Sequence, residues 1–378
     1  MSSVEEFRTE IRAWLRAHLA GEFAALKGLG GPGREHEAFP ERLAWERHLA
    51  AHGWTCVGWP TEYGGRGASI EEQIAFHEEY ALADAPARVN HIGEQLLGPT
   101  LIDHGTEEQK ARFLPPIRAV EELWCQGYSE PDAGSDLAAV RTRARRDGDD
   151  WVIDGQKIWT SLAHESQWCF VVARTEPSSR RHAGLSYLLV PLDRPGVEIR
   201  PIVQLTGTSE FNEVYFDGAR TAAANVVGAP GDGWRIAMAT LGYERGVSTL
   251  GQQVGFRREL EGLIALARSN GALADPLIRD RLARAWAGLQ AMRASARRGT
   301  DPSTAKLYWS HWHRDLGELA MDVRGAAATV VAAEPYELDE WQRLFLFSRA
   351  DTIYAGSSEI QRNLIAERVL GLPKEPRP

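Results

Sequence analysis

Three short segments place acids, hydroxyl groups, an indole and glycines where the chain is expected to turn. They are Glu130-Pro131-Asp132-Ala133-Gly134-Ser135-Asp136, Lys157-Ile158-Trp159-Thr160-Ser161 and Ile353-Tyr354-Ala355-Gly356-Ser357-Ser358-Glu359-Ile360-Gln361-Arg362. The chain that leads into the first segment begins as a strand at Trp124, and at Pro131 it breaks into a loop that contains a glycine. Such a loop exposes backbone N–H groups and short hydroxyls, which suit a ligand rich in carbonyl oxygens. Alone, the first segment is better explained as an ordinary surface turn, and the alternative for Trp159 is an ordinary core residue of a β domain.

A fourth segment, Leu241-Gly242-Tyr243-Glu244-Arg245-Gly246, places a carboxylate beside an arginine. In a dry site, burial raises the pKa of a carboxylate toward that of a useful general base. The alternative is that Glu244 and Arg245 are surface charges on a helix, as a lone Glu-Arg pair usually is.

Apolar spacing changes twice along the chain and divides it into three regions. A helical period runs to about Trp124, alternation of period two follows, and the helical period returns from Gly233. We therefore predict an α+β multidomain fold with an N-terminal helical domain (1–122), a β-barrel-like middle domain (123–228) and a C-terminal helical bundle (229–378). A hairpin is predicted around Asp147-Gly148-Asp149, strands are predicted over 185–191 and 197–202, and turns are predicted at Asp154-Gly155 and Asp217-Gly218.

Several boundaries have specific chemical signals. Thr106 followed by Gln109 resembles a capping box, and Pro115-Pro116 should end that helix. Asp275-Pro276 and Asp301-Pro302 each place a capping acid before a proline. A buried stripe of four side chains is predicted for the helix after Asp275: Leu282, Trp286, Leu289 and Met292.

Composition excludes several classes of protein. The 378 residues are 43% hydrophobic and 25% charged, as in globular domains, and contain no run of about 18 apolar residues typical of a membrane span. A formal charge of −9 argues against binding of nucleic-acid phosphates. The amphipathic start carries acids, unlike a signal peptide, so we expect a cytoplasmic protein. Three separated cysteines favour buried thiols, and no metal site is predicted.

Together these segments, with Trp59-Pro60-Thr61-Glu62-Tyr63-Gly64-Gly65, resemble the acyl-CoA dehydrogenase family over nearly the whole chain. The resemblance implies that the protein uses FAD to desaturate an acyl-CoA thioester between its α and β carbons, and that an electron-transfer flavoprotein reoxidises it. It implies FAD contacts at nine positions: Gln126, Tyr128, Ser129, Trp159, Thr160, Ser161, Arg268, Ser357 and Glu359. Ser135 would lie near the pantetheine arm of the substrate.

The chain departs from the family pattern at the catalytic base. Ala355 stands where the family most often has its catalytic glutamate. The resemblance implies that the backbone N–H at this position would still bind the thioester carbonyl and stabilise an enolate-like transition state. A minority of the family carries the base on an earlier helix, at the position of Glu244. The resemblance thus implies Glu244 as base, with Arg245 orienting the loop around Ala355. Tyr243 and the 93–99 stretch would shape a pocket for a bulky or branched acyl group.

The chain also departs from the family pattern in the segments that, in the family, bind the FAD of a neighbouring subunit. Arg268 lacks the Phe-Gly that follows it in the family, and Asp322 replaces a glutamine, which is unfavourable near a pyrophosphate unless Arg324 offsets it. Two assemblies remain open, a homotetramer and a heterotetramer with a related subunit. The alternative function is a flavin-dependent monooxygenase or a non-catalytic partner subunit.

Overall fold

The computed structural model describes residues 3–179, 181–243, 248–298 and 301–374. Within these ranges there are eleven α-helices: α1 Ser3–His18, α2 Phe39–Ala51, α3 Ile70–Leu82, α4 Gly98–His104, α5 Glu107–Arg118, α6 Gly233–Tyr243, α7 Ser248–Ser269, α8 Pro276–Arg297, α9 Pro302–Arg324, α10 Glu340–Asp351 and α11 Ser358–Leu364. Two π-helical turns, Gly93–Leu97 and Ile365–Val369, adjoin α4 and α11. No helix in this described part is long and apolar enough to cross a bilayer.

One sheet of eight strands lies between the two helical regions of the sequence. Its strands are β1 Trp124–Gly127, β2 Arg143–Asp147, β3 Asp150–Ser161, β4 Trp168–Arg174, β5 Leu185–Pro191, β6 Val197–Ile202, β7 Phe211–Ala222 and β8 Val226–Val227. The order is β6-β7-β3-β2-β4-β5-β8, with β1 paired in parallel to β4. The predicted α+β architecture, with a β region between helical regions, is confirmed, as is the β2–β3 hairpin.

The predicted end of one helix is wrong. Helix α5 does not end before Pro115 but continues through both prolines to Arg118. The φ angle of proline is compatible with a helix, and the buried side chains of Leu114 and Ile117 hold the last turn against the core. The capping box of Thr106 and Gln109 is confirmed.

Asp154-Gly155 and Asp217-Gly218 are not separate turns but face each other inside the β3–β7 ladder. The register shifts between Ile153 and Asp154, and the Gly218 amide donates to Asp154 Oδ1 at 2.8 Å. Gly155 has a φ of 152°, and a Cβ there would lie 2.5 Å from the Thr142 hydroxyl. Gly155 therefore permits the close approach of β3 to Thr142, while Gly218, with a φ of +67°, is the extra residue of the bulge in β7.

The chain divides into two compact units. The first comprises Met1–Ala75, Ala83–Gln204 and Thr208–Gly246, and it contains the sheet. Strand β4 is buried on both of its faces, since Phe170 and Val172 join one apolar cluster while Cys169 and Val171 join another. Two-sided burial explains why this strand reads as a continuous apolar run. The three cysteine thiols are free and buried, as predicted.

A buried ion pair joins two of the segments singled out in the sequence. Lys157 is fully buried, and its Nζ donates to Glu130 Oε1 at 2.8 Å and to the carbonyl oxygens of Tyr128 and Val172 at 3.0 and 2.8 Å. Although burial raises the pKa of the Glu130 carboxyl, the Lys157 charge and hydrogen bonds from Thr142 and Arg141 bring it below its ordinary value. The pair therefore fixes β1 and β3 to each other.

The second unit comprises Phe76–Leu82, Leu205–Gly207 and Val247–Pro378. Helices α7 to α10 share one apolar core that includes Leu263, Leu289 and Leu319. The capping roles of Asp275 and Asp301 are confirmed, since each side chain accepts from backbone amides of the first turn. The predicted stripe on α8 is wrong at Trp286, which is 38% exposed and lies under Arg257 as a cation–π partner.

A charged network precedes the Ala355 turn in the second unit. His313 Nδ1 lies 2.6 Å from Asp351 Oδ2, and its Nε2 lies 3.0 Å from Glu259 Oε2. Burial lowers the pKa of His313, but the two carboxylates outweigh this and raise it to about 10. The Tyr354 hydroxyl donates to the other oxygen of Asp351 at 2.5 Å. The network thereby holds the residue just before Ala355.

We expect Lys157→Met to lower the free energy of unfolding by about 3–5 kcal/mol, because it leaves the Glu130 carboxylate buried without its counter-charge. Chemical denaturation measures this. Two variants provide the controls: the double variant Lys157→Met/Glu130→Leu should recover much of the loss, and Arg141→Met, which breaks the exposed pair with Asp132, should cost under about 1 kcal/mol. Equal losses in all three variants would contradict the role of the pair.

We expect His313→Gln to lower the thermal midpoint more near pH 6 than near pH 10. A raised pKa means that the stability contributed by protonated His313 is full below about pH 6.5 and is lost as pH rises through about 10. Thermal unfolding at both pH values measures the difference. The control is His311→Gln on the same helix, because burial lowers the pKa of His311 and its effect should not shrink at high pH. A pH-independent deficit for His313→Gln would disprove the assignment.

Candidate active site

Trp159 occupies a bulge near the end of β3. The β3–β7 register shifts between Lys157 and Thr160, and Trp159 has a φ of +58° with an indole that is 56% exposed. A left-handed conformation costs a non-glycine residue about 1–2 kcal/mol. Strained residues of this kind concentrate at functional sites, and a bulge re-aims a side chain. The fold thus presents a large aromatic face, with Phe211 edge-on at 6.2 Å.

Two of the predicted cofactor residues, Gln126 and Thr160, each carry a buried polar atom. Thr160 is fully buried, and neither its Oγ1 nor Nε2 of Gln126 has a hydrogen-bond partner within the described residues. Buried polar groups are nearly always paired, so each unmatched atom calls for a ligand or water. The Thr160 carbonyl oxygen accepts a hydrogen bond from the Asn212 side-chain amide at 3.0 Å, which fixes the backbone at this residue.

The segment at the end of β1 lies beside the Trp159 bulge. The Ile158 amide donates to the Ser129 carbonyl at 3.0 Å, and Lys157 holds the Tyr128 carbonyl at the same distance. Tyr128 is buried against Phe170, whereas the side chains of Ser129 and Ser161 are partly exposed. The structure therefore brings together the six positions that the sequence assigned to this segment and to β3.

A cationic cleft begins one residue after Ser135. The Ser135 side chain is exposed, and Asp136 lines a cavity of about 620 Å³ together with four arginines, which are Arg141, Arg143, Arg174 and Arg181. Arg141, Arg143 and Arg145 are all exposed, and the first two line this cleft. Such a cleft attracts phosphates.

Tyr243 ends α6 in a fixed position. Its hydroxyl donates to the carboxylate of Asp103 on α4, and burial and this carboxylate raise the pKa of the phenol above its ordinary value. A buried contact of 2.8 Å between the Thr100 and Thr240 hydroxyls joins the same two helices. The predicted base Glu244 and its neighbour Arg245 lie outside the described residues. The anchored Tyr243 directly precedes them in sequence.

The 93–99 stretch is held by the Trp59 motif. The Trp59 indole donates to the Glu94 carbonyl at 3.0 Å, and a Cβ on Gly98 would fall 1.9 Å from the Trp59 ring. Arg88 pairs with the buried carboxylates of Glu94 and Glu46, while burial raises the pKa of Glu94. A π-helical turn so constrained is common near functional sites.

In the second unit, Ala355 lies in a tight turn whose backbone is held by a side chain. Ala355 has a φ of +50° and Gly356 of +90°, and the Gln361 side chain holds their carbonyl oxygens at 3.1 and 3.2 Å. Within the described residues, the Ala355 amide donates no hydrogen bond. An amide fixed in this way can serve as the donor that an oxyanion needs.

The remaining predicted cofactor residues also lie in the second unit. Ser357 caps α11, and Glu359 is exposed in the first turn, where its pKa is lowered by its own backbone amide and by Ser357. Arg268 is exposed in the last turn of α7. The predicted role of Arg324 is wrong, because Arg324 pairs with Asp339 while Arg281 pairs with Asp322. The negative charge at position 322 is compensated, but by a different helix.

Several positioning residues lack a local sequence signal. Asp103, Arg174 and Arg181 act across long sequence separations, so periodicity cannot reveal them. Lys157 and Glu130 were within the recognised segments, but their pairing depends on the register of β1 and β3. Gln361 was likewise within the third segment, and only the turn geometry reveals its function.

Comparisons with known proteins agree along the whole chain. The family models described as "Acyl-CoA dehydrogenase, N-terminal domain", "Acyl-CoA dehydrogenase, middle domain" and "Acyl-CoA dehydrogenase, C-terminal domain" match residues 2–121, 125–219 and 231–370. The acyl-CoA dehydrogenase IpdE1 of Mycobacterium tuberculosis is 68% identical, covering 99% of both chains. The protein of the same name from Mycolicibacterium smegmatis is 65% identical with the same coverage.

Two solved structures are similar over almost their full lengths. A "Tcur3481-Tcur3483 steroid ACAD" is 32% identical with a TM-score of 0.84, covering 99% of both chains. The ChsE4-ChsE5 complex from Mycobacterium tuberculosis is 30% identical with a TM-score of 0.80 and the same coverage. The chain therefore belongs to the acyl-CoA dehydrogenase family and is an enzyme of that family.

Proposed function

We propose that this chain uses FAD to desaturate an acyl-CoA thioester between its α and β carbons, with an electron-transfer flavoprotein as acceptor. The observation that carries the proposal is the exposed indole of Trp159 on its strained bulge, followed directly by the buried hydroxyl of Thr160, which, like Nε2 of Gln126, has no hydrogen-bond partner within the described residues. A flat ring system with a polar edge satisfies both features. Family membership supports the same cofactor.

Nine residues would hold the cofactor. On the first unit, Gln126, Tyr128 and Ser129 would contact the pyrimidine edge, while Trp159, Thr160 and Ser161 would pack against and hydrogen-bond the ring system. On the second unit, Ser357 and Glu359 would contact FAD of the same subunit, and the exposed Arg268 would meet a pyrophosphate. When bound, the flavin accepts the hydride that leaves the β carbon.

Glu244 would remove the α proton. Ala355 has no ionisable side chain, so the carboxylate must come from another element, and Glu244 directly follows the anchored Tyr243. The Ala355 amide would bind the thioester carbonyl and stabilise the negative charge that develops on its oxygen as the proton leaves. Arg245 would position the loop around Ala355.

The substrate would be a bulky acyl-CoA. We propose a branched or steroid-derived acyl group, a choice supported by the likeness to a steroid ACAD and by a base on the earlier helix. Ser135 would contact the pantetheine arm, while Tyr243 and the 93–99 stretch would line the acyl pocket. The four-arginine cleft after Ser135 complements the phosphates of CoA.

We also propose that the enzyme is a heterotetramer with a related subunit. Both similar structures are named by two components, Tcur3481-Tcur3483 and ChsE4-ChsE5. The absence of Phe-Gly after Arg268 and the replacement of glutamine by Asp322 support a weakened half-site for a neighbour's adenosine. We propose domains at 1–122, 123–228 and 229–378, and a cytoplasmic location.

A second candidate follows from the alanine at position 355. Without a carboxylate there, the chain could be a non-catalytic partner subunit, or a flavin monooxygenase that needs no carboxylate base. Both alternatives leave Glu244 without a chemical role, which makes its substitution discriminating.

We expect Glu244→Gln to slow anaerobic flavin bleaching by acyl-CoA about 10³-fold while flavin content stays unchanged, because loss of a general base removes roughly 10²–10⁴ of rate. The measurement uses a panel of straight, branched and steroid-derived CoA thioesters. The matched control is Glu261→Gln, which neutralises an exposed carboxylate on α7 and should leave bleaching intact. In Glu244→Gln/Ala355→Glu, the second carboxylate should restore part of the rate.

Bleaching by no thioester in the wild-type protein would disprove the dehydrogenase assignment. If acyl-CoA bleaches the flavin of the wild-type protein and of Glu244→Gln at the same rate, the assignment of Glu244 as base would instead be disproved. Oxygen-dependent hydroxylation of a substrate would favour the monooxygenase.

We expect the chain purified alone to carry well under one flavin per subunit and to reach full loading when purified with its related partner subunit. Flavin absorbance per subunit and mass by light scattering measure both states. A fully loaded homotetramer would rule out the heteromeric assembly while leaving the dehydrogenase proposal intact.

A further inference from the structure

Three histidines from two helices meet in the first unit. His18 ends α1, while His48 and His52 lie one helical turn apart at the end of α2. One ring nitrogen from each of the three lies within 4.8 Å of the others, in the single group of this kind found among the described residues. Residues four apart on a helix face the same side, so the two helices converge on one point.

The hydrogen bonds prepare the rings to act as ligands. The His52 Nδ1 lies 2.8 Å from the His48 carbonyl oxygen and donates to it, so that in the neutral tautomer of this ring the lone pair is on Nε2. A backbone carbonyl that fixes the tautomer in this way is a regular feature of metal-bound histidine. His18 Nδ1 and His48 Nε2 lie 2.8 Å apart and share one proton, which a metal ion would replace.

Aromatic packing restricts the movement of the cluster. Trp14 stacks on His18 with a centroid distance of 4.3 Å and an interplanar angle of 13°, and Trp45 stacks on His48 at 5.9 Å. Burial, followed by the charge of the neighbouring His52, lowers the pKa of both His18 and His48. Neutral imidazole is the form that binds metal.

We propose that His18, His48 and His52 bind a divalent transition-metal ion of the Zn²⁺, Co²⁺, Ni²⁺ and Cu²⁺ class. Imidazole nitrogen suits these ions, whereas Mg²⁺ and Ca²⁺ require oxygen ligands. Water completes the coordination, and the charge of Glu22, which acts on His48, offsets that of the ion. The site joins the last residue of α1 to the end of α2 and is independent of the proposed flavin chemistry.

The geometry requires only a small adjustment. Tetrahedral Zn–N bonds of about 2.0–2.1 Å place ligand nitrogens roughly 3.3 Å apart. The His18–His48 separation of 2.8 Å must therefore open by a few tenths of an ångström, while His52 moves inward. Rotation about side-chain bonds accomplishes both movements without shifting a helix.

The test is titration of the full-length, tag-free protein with CoCl₂ and ZnCl₂ after treatment with a chelator. We expect one ion per chain, visible ligand-field bands for Co²⁺, and a thermal midpoint about 3 °C higher at a hundredfold excess of Zn²⁺ over its Kd. His18→Gln and His52→Gln should each weaken binding at least tenfold. The matched control, His36→Gln, removes an exposed imidazole outside the cluster and should change nothing.

A wild-type affinity no higher than that of His18→Gln and His52→Gln would overturn the site. Circular dichroism of each variant without metal separates loss of binding from loss of fold. Stoichiometric binding that persists in both variants would place the ion elsewhere and would also overturn the proposal.

Discussion

The candidate site depends on one buried ion pair. Glu130 and Lys157 are both buried, and the pair ties the segment after β1 to the segment that contains Trp159. Charges in a protein interior are tolerated only with close partners, so this contact admits one register of the two segments. The carbonyl of Tyr128 is a further acceptor of Lys157, which sets the direction in which residues 126–129 leave the strand. The two recognised motifs are therefore two halves of a single structural unit.

Because the ion pair holds these two segments rigidly, unfavourable features can persist close by, at Trp159 and Thr160. Trp159 has a left-handed φ, and Thr160 buries a hydroxyl that has no hydrogen-bond partner in the part of the chain that the structure describes. Each feature lowers stability. Neither would survive in a pliable loop, since relaxation would remove both. The β3–β7 ladder on either side of the Trp159 bulge keeps them in place: it runs from Asp150 to Lys157 with one register shift after Ile153, and it resumes at Thr160. The ion pair and the ladder therefore stabilise a conformation in which an indole and a hydroxyl are available to the proposed ligand.

Sequence periodicity predicted the elements well because local chemistry defines them. The capping residues Thr106, Asp275 and Asp301 all act as their types suggest, and strands β5 and β6 have the predicted bounds. Failures occurred where tertiary contacts override local preference, as at Pro115 in α5, at the Asp154-Gly155 bulge and at Trp286. The partner of Asp322 and the meeting of His18 with His48 both depend on the packing of separate helices. Spacing within one helix reveals His48 and His52 but not a third ligand thirty residues away.

The departure at position 355 is intelligible because backbone and side chain have separable functions there. Gln361 fixes the Ala355-Gly356 turn through carbonyl oxygens, and the His313–Asp351 contact holds Tyr354 just before it. None of these contacts involves the side chain at 355, so exchange of a glutamate for alanine leaves the direction of the amide unchanged. A donor that stabilises an oxyanion needs direction, whereas a proton acceptor needs only reach and a suitable pKa. The base can therefore move to another element, and the oxyanion donor cannot.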